Sequence, residues 1–212
     1  MPTERESQKP LDARLPQKPR MTAFRVIAIS LIVLVVAACA NPVNQVTMEN
    51  YSEACSNAER NGRLDVAVEA CRRAWINTRI GALGTEQEST ALYNLGRVQK
   101  KAMKLGDAEA SLKRSLELED ALSGAESAKT GRRLAELAAV LFVLERADDG
   151  LVYVNRLIPI APQYLGPERR FVASLFYGYA EYSRKGGRLD QASRLEAAAR
   201  DLGFSRDEFP ST

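Results

Sequence analysis

Two columns of small residues recur along this chain at a nearly fixed interval, and they restrict its fold more than any other feature. Cys55, Gly96, Ala138 and Ala180 follow one another at spacings of 41, 42 and 42 residues, and Ala67, Ala108, Gly150 and Ala192 do the same. The columns run twelve residues apart, inside segments whose apolar residues repeat at helical period. A small residue near the middle of each of two antiparallel helices lets their backbones approach closely. The residue before the first column is Ala54, Leu95, Leu137 and Tyr179, also in phase. The turn Gly62, Arg63, Leu64, Asp65 returns as Gly187, Arg188, Leu189, Asp190, 125 residues on. In-phase recurrence of this kind predicts four copies of one helical hairpin, each burying its apolar face against the next. An unrelated helical bundle with accidental periodicity is the alternative.

The clearest copy lies in 90–118, read as helices at 90–104 and 107–118 closed by a turn at Gly106 and Asp107. Leu92, Gln99 and Leu112 stand where the tetratricopeptide (TPR) motif carries Trp, Tyr and Phe, Gly96 and Ala108 stand at its small positions, and the closing Pro is missing. The pattern resembles a degenerate TPR. The stretched period and the links Gly84-Thr85-Glu86, Gly124-Ala125-Glu126 and Gly166-Pro167-Glu168 resemble the 42-residue repeats of kinesin light chains. The resemblance implies an all-α protein, a right-handed α-solenoid of about four repeats near 47–80, 88–120, 127–158 and 167–202. Eight helices are expected at 47–60, 64–78, 88–104, 107–119, 127–145, 148–157, 167–185 and 189–202, with 205–212 a frayed tail. Pro159 and Pro162 stop the sixth, and Pro167 suits the first turn of the seventh. No further full-length helix caps the array, which leaves its last repeat open to a partner or to self-association with a second copy.

Ahead of the repeats, 1–20 is polar and proline-bearing, followed by Arg25 and the apolar run 26–38. That run is short for a membrane span and suits the core of a signal peptide. Val36, Ala37, Ala38 and Cys39 resemble the bacterial lipobox, which implies cleavage before Cys39 and lipid on its thiol and new amino group. An ordinary cleavage site at Ala38-Cys39-Ala40 and an uncleaved anchor are the competing readings. Residues 39–46 would then be a tether reaching only ~25 Å at ~3.3 Å per residue. Ala40 after the lipidated cysteine resembles outer-membrane sorting, on the periplasmic side. Cutting before Cys39 removes six basic and three acidic residues and leaves 24 of each sign, so the +3 of the full chain belongs to the leader. A neutral mature domain speaks against nucleic acid as a partner.

Chemistry has little to work with. The chain has no histidine, which removes His-based acid–base pairs, His-activated nucleophiles and the usual His metal ligands. No signature surrounds any serine or lysine, so no catalytic residue, metal site or cofactor is expected. Binding is the expected role, on the concave side lined by the first helix of each repeat. In phase with the columns, the inward set includes Tyr93, Asn94, Arg97, Lys101, Arg132, Glu136, Tyr177 and Glu181, a mixture suited to an extended peptide or a partner helix. Arg97, Lys100, Lys101 and Lys104 form a basic stripe, read either as a docking surface or as a solvated face. With Cys39 lipidated, Cys55 and Cys71 remain, an even number beyond the cytosol. Both are expected at the seam of the first hairpin, either bridged or as two buried thiols. The architecture resembles that of TPR lipoproteins, which implies a membrane-anchored scaffold or adaptor of the cell envelope. The alternative is an assembly factor, pilotin-like or a subunit of an outer-membrane complex, of a secretion, pilus or outer-membrane machine.

Overall fold

The first two hairpins meet tightly because the predicted columns sit at their seams. In the structure, a computed structural model that describes residues 41–209, Ala67, Ala108, Ala138 and Ala180 are fully buried and Cys55 and Ala192 nearly so. The leader, the proposed lipidation at Cys39 and residues 210–212 lie outside the described residues. Eight α-helices are found among the described residues: α1 (Pro42–Arg60), α2 (Leu64–Ile80), α3 (Thr85–Lys101), α4 (Leu105–Ser123), α5 (Ala128–Val143), α6 (Ala147–Leu157), α7 (Gly166–Lys185) and α8 (Leu189–Asp201). They pair as four hairpins, and each hairpin packs on the next, giving an all-α solenoid. The residue before the first column enters the seam of the preceding hairpin: Leu95, Leu137 and Tyr179 are all buried. Ala54 holds the same place in the first hairpin, ahead of which no hairpin lies among the described residues, and is exposed.

Three boundaries differ from the sequence reading. Helix α1 begins at Pro42 rather than near residue 47, because the Asn41 side chain accepts from the Val43 N–H at 3.1 Å and proline fits the first turn. The Asn41 N–H also donates to the Gly81 carbonyl at 3.3 Å, so most of the expected tether 39–46 is helix held against the end of α2. Helix α3 ends at Lys101, and the second hairpin turns at Met103 rather than at Gly106 and Asp107. All four hairpins close in one way. The third residue past each first helix donates back to the carbonyl five residues earlier, Arg63 to Ala58, Lys104 to Gln99, Arg146 to Leu141 and Arg188 to Ser183, at 2.8 to 2.9 Å. That closure needs one left-handed residue, supplied by Gly62 and Gly187 in the outer hairpins and by Met103 (φ 57°) and Glu145 (φ 59°) in the inner ones.

Side chains at positive φ are strained. Met103 and Glu145 are exposed, so neither offsets that strain by packing. Met103→Gly and Glu145→Gly are each expected to stabilise the protein by about 1 kcal/mol and raise Tm by ~3 °C in a thermal melt. Unchanged or lower Tm in both variants would contradict the account of the turns.

The third hairpin is the irregular one. Helix α6 has 11 residues, against 17 in α2 and 19 in α4. Pro159 stops it, and the chain continues through a 3-10 turn, Ala161–Gln163, before α7. This link is part of the core: Ile160 is fully buried and Tyr164 is 2% exposed. The Tyr164 hydroxyl donates to the Ala128 carbonyl at 2.8 Å, in space that a Cβ on Gly131 would occupy.

Candidate functional site

The concave side of the array is formed by α3, α5 and α7. Where the short α6 lets the link swing inward, a cleft of about 410 Å³ opens between them. Tyr93 and Arg97 reach it from α3, Arg132 and Glu136 from α5, Glu168 and Phe171 from α7, and Tyr164 from the link. The Tyr93 ring lies between two guanidinium groups, with Arg133 at 5.0 Å and Arg97 at 5.8 Å from its centroid. Burial pushes its phenol up to about 12, with Glu136 acting in the same direction and Arg97 and Arg133 against it. It therefore stays a neutral hydrogen-bond donor at any physiological pH. Lys100 Nζ stands 5.1 Å over Phe171 on the opposite wall.

The charges of the cleft are matched within the protein. Arg132 makes a forked pair with Glu168 at 2.7 and 3.1 Å, whose hydrogen bonding and charge raise the guanidinium above its usual range against the opposing effect of burial. Arg97 reaches Glu59 of the first hairpin at 2.8 Å and Glu136 of the third at 3.9 Å. Lys100 pairs with Glu136, Lys101 with Glu59, and Lys104 with Asp65. The basic stripe is thus paired with acids from the hairpins on either side.

Of the eight inward residues read from the sequence, the cleft gathers Tyr93, Arg97, Arg132 and Glu136. Asn94 lies toward the first hairpin instead, beside Ser52, Ser56 and Glu59 in a small hollow at the cysteine pair. Lys101 is taken up by Glu59, near the same hollow. Tyr177 and Glu181 lie under the chain's own C-terminal segment, so they are not open groove residues. The Tyr177 hydroxyl donates to the Phe204 carbonyl at 2.7 Å, and its ring is 3% exposed. Glu181 is paired with Lys185 at 3.0 Å and with Arg206, and those partners lower its pKa. Residues 205–209, expected to fray, are held in place through a Ser205–Glu208 capping box and these contacts.

Two features behind the cleft were not anticipated. Arg133, one residue from Arg132, is buried with Glu119 at 2.8 Å between α5 and α4, with side-chain exposures of 4% and 1%. Its remaining donors are satisfied by Ser115 at 2.9 Å, Ser89 at 3.0 Å and the Lys129 carbonyl at 2.8 Å. Glu119 accepts from Ser89 at 2.9 Å and Ser123 at 2.6 Å, and although burial alone would raise its pKa, these bonds and Arg133 hold it below the usual carboxylate range. The same guanidinium is the floor under Tyr93, so the buried network fixes one wall of the cleft. The second feature is the link itself, which brings Tyr164 and Phe171 to the concave side.

At the seam of the first hairpin, Cys55 and Cys71 are joined as a disulfide, with Cα atoms 5.2 Å apart and both residues 3% exposed. The bond cross-links the first hairpin of the described residues and restricts its unfolded chain.

A solenoid of helical hairpins at a 41–42-residue period has a TPR-type fold. Neither a protein-family model nor a curated protein sequence matches the chain. Among solved structures, BtubC (BKLC) from P. vanneervenii is similar with a TM-score of 0.66 at 19% identity, over 80% of this chain and 68% of that one. The Q17M form of a putative kinesin light chain with nearly identical TPR-like repeats, from Podosopora anserina, gives 0.60 at 15% identity over 85% of each chain. MamA gives 0.57 at 15%, over 83% of this chain and 86% of that one. At these identities the likeness establishes the TPR-type fold.

Among the described residues no helix is long and apolar enough to cross a membrane, and no group of carboxylates and thiols is placed to hold a metal.

Proposed function

We propose that this protein is a non-catalytic adaptor of the bacterial cell envelope, held to a membrane by lipid on Cys39 and gripping a partner protein in its concave cleft. The observation that carries the reading is the cleft at the meeting of three hairpins, with aromatic walls from Tyr93 and Phe171 and the solvent-exposed forked pair Arg132–Glu168 at its edge. Such pairs are worth little to the fold when solvent reaches them, so a peptide carrying its own charges replaces them at small cost. The neutral balance of the domain fits a protein partner rather than nucleic acid. The bonded cysteines fit a compartment outside the cytosol, the periplasmic side of the outer membrane. With α1 starting at Pro42, only Ala40 and Asn41 would separate Cys39 from the array, a span of about 10 Å when extended. The first hairpin would then ride close to the bilayer, with the cleft two hairpins further out.

The partner test is Arg97→Glu combined with Arg132→Glu. Recovery of crosslinked partner from membranes is expected to fall at least about tenfold, the equivalent of ~1.4 kcal/mol. Helical CD should be unchanged and Tm lowered by no more than a few degrees. Undiminished recovery would remove the cleft as the binding site. The anchor is tested separately: Cys39→Ser is expected to abolish labelled-palmitate incorporation, and labelling that persists would exclude Cys39 as the lipid site.

A further inference from the structure

The inward face of the last hairpin already carries a peptide, the chain's own residues 204–209, with the sequence Phe-Ser-Arg-Asp-Glu-Phe. We propose that this face is a second binding site for partner peptides of the pattern aromatic–x–Arg–x–x–aromatic, and that the C-terminal segment is its tethered, displaceable occupant. The site uses Arg170, Tyr177 and Glu181 of α7, none of which lines the cleft that Glu168 and Phe171 of the same helix share with α3 and α5, and the inference does not depend on what the cleft binds.

Three recognition elements meet the segment. Arg170 lies over both of its aromatic rings, 5.7 Å from the centroid of Phe204 and 5.1 Å from that of Phe209. Tyr177 stacks on Phe209 at 5.6 Å and lies 5.8 Å from the Arg206 guanidinium. Glu181 receives Arg206 as an ion pair. Together they specify two aromatic groups and a cation at fixed spacing, which is recognition of a peptide by its side chains.

The segment is held less firmly than the helices it covers. None of residues 206–208 is buried, Phe204 and Phe209 are only partly so, and the segment follows Gly203 at φ 85°. Few buried contacts mean a low free energy of local opening. It also leaves space. Beside Arg206 and Phe209, which form part of its wall, lies a hollow of about 300 Å³ otherwise lined by Ala139, Phe142, Val143, Leu175 and Gly178. Val143 is 49% exposed there, and a Cβ on Gly178 would meet nothing nearer than Phe142 at 3.8 Å. A partner peptide with an apolar residue after its second aromatic would fill this hollow and outcompete the resident segment.

The probe is a fluorescein-labelled synthetic peptide of residues 204–212, titrated into the full chain. In the variant Arg206→Ala with Phe209→Ala the segment is released while the site is intact. Its affinity for the probe is expected to exceed that of the wild type by about tenfold or more, since a resident occupying the site nine-tenths of the time reduces apparent affinity by that factor. Adding Glu181→Lys should abolish this binding, and a probe with Arg206→Glu should recover it. Phe209→Ala alone gives the same comparison if the double substitution lowers helical CD. Equal affinity of released and wild-type chains, or binding indifferent to Glu181→Lys, would show that the segment is only a structural cover and would overturn the proposal.

Discussion

Glu119→Gln is expected to destabilise the protein by about 3–5 kcal/mol, although the substitution keeps the size and shape of the side chain. The loss comes from Arg133, whose guanidinium stays charged in a site where it is 4% exposed and where Glu119 is its counter-ion at 2.8 Å. Ser89 and Ser123, which donate to the carboxylate, lose part of their bonding as well. Replacing both ions, Glu119→Leu with Arg133→Met, is expected to cost less than either single change, because no buried charge is left unpaired. Urea unfolding of the three variants measures this directly. A loss below ~1 kcal/mol in Glu119→Gln would mean that Arg133 finds water or another acid.

The pair also sets a pH dependence. The Glu119 carboxyl titrates lower in the folded protein than in the unfolded chain. Its contribution is therefore complete above about pH 4.3, the ordinary glutamate value, and is lost as pH falls through the lowered folded value. The wild type should lose stability across that acid window more steeply than Glu119→Gln.

Gly150→Ala is the second large effect, expected to lower stability by about 2–3 kcal/mol despite the better helix propensity of alanine, which returns ~1 kcal/mol. A Cβ there would overlap the Tyr179 hydroxyl and stand 2.7 Å from its Cζ. Tyr179 has nowhere to retreat: its hydroxyl donates to the Ala138 carbonyl at 2.8 Å and its ring meets Phe142 edge-on at 5.2 Å. The repeats show the rule behind this. Ala67 and Ala108 are followed in the next hairpin by Leu95 and Leu137, and the one glycine in the column, Gly150, is followed by Tyr179. Gly150→Ala with Tyr179→Leu restores the pairing of the other seams and should be more stable than Gly150→Ala alone, with a coupling of at least ~1 kcal/mol. Strict additivity in the melts would contradict the complementarity.

That rule was legible in the sequence because close helix packing forces small residues to recur in register, and burial makes the register visible. The four hairpins and their seams could be read for that reason. The turns were less legible. Left-handed backbone is announced by Gly62 and Gly187 but not by Met103 or Glu145, so the nearest glycine, Gly106, drew the second turn three residues late. Half of the groove was also legible, since Tyr93, Arg97, Arg132 and Glu136 share one helical face in phase across two repeats. Arg133 was missed although a signal existed. In register it stands where Ala91 and Leu175 are buried, and one step along a helix turns a side chain by about 100°, separating it from the half-buried Arg132. The fate of Tyr177 and Glu181 had no local signal. Phe204, Arg206 and Phe209 reach them from beyond the last repeat, by contacts that no periodicity encodes.

The central claim is that the concave side, not the convex one, meets the partner. Site-specific photo-crosslinking in intact envelopes tests it most directly, with the photoreactive residue placed at Arg132 in the cleft or at Arg114, exposed on α4 beside Glu117. The account predicts a discrete crosslinked protein from position 132 that is absent from position 114. A partner captured from position 114 and not from 132 would contradict it.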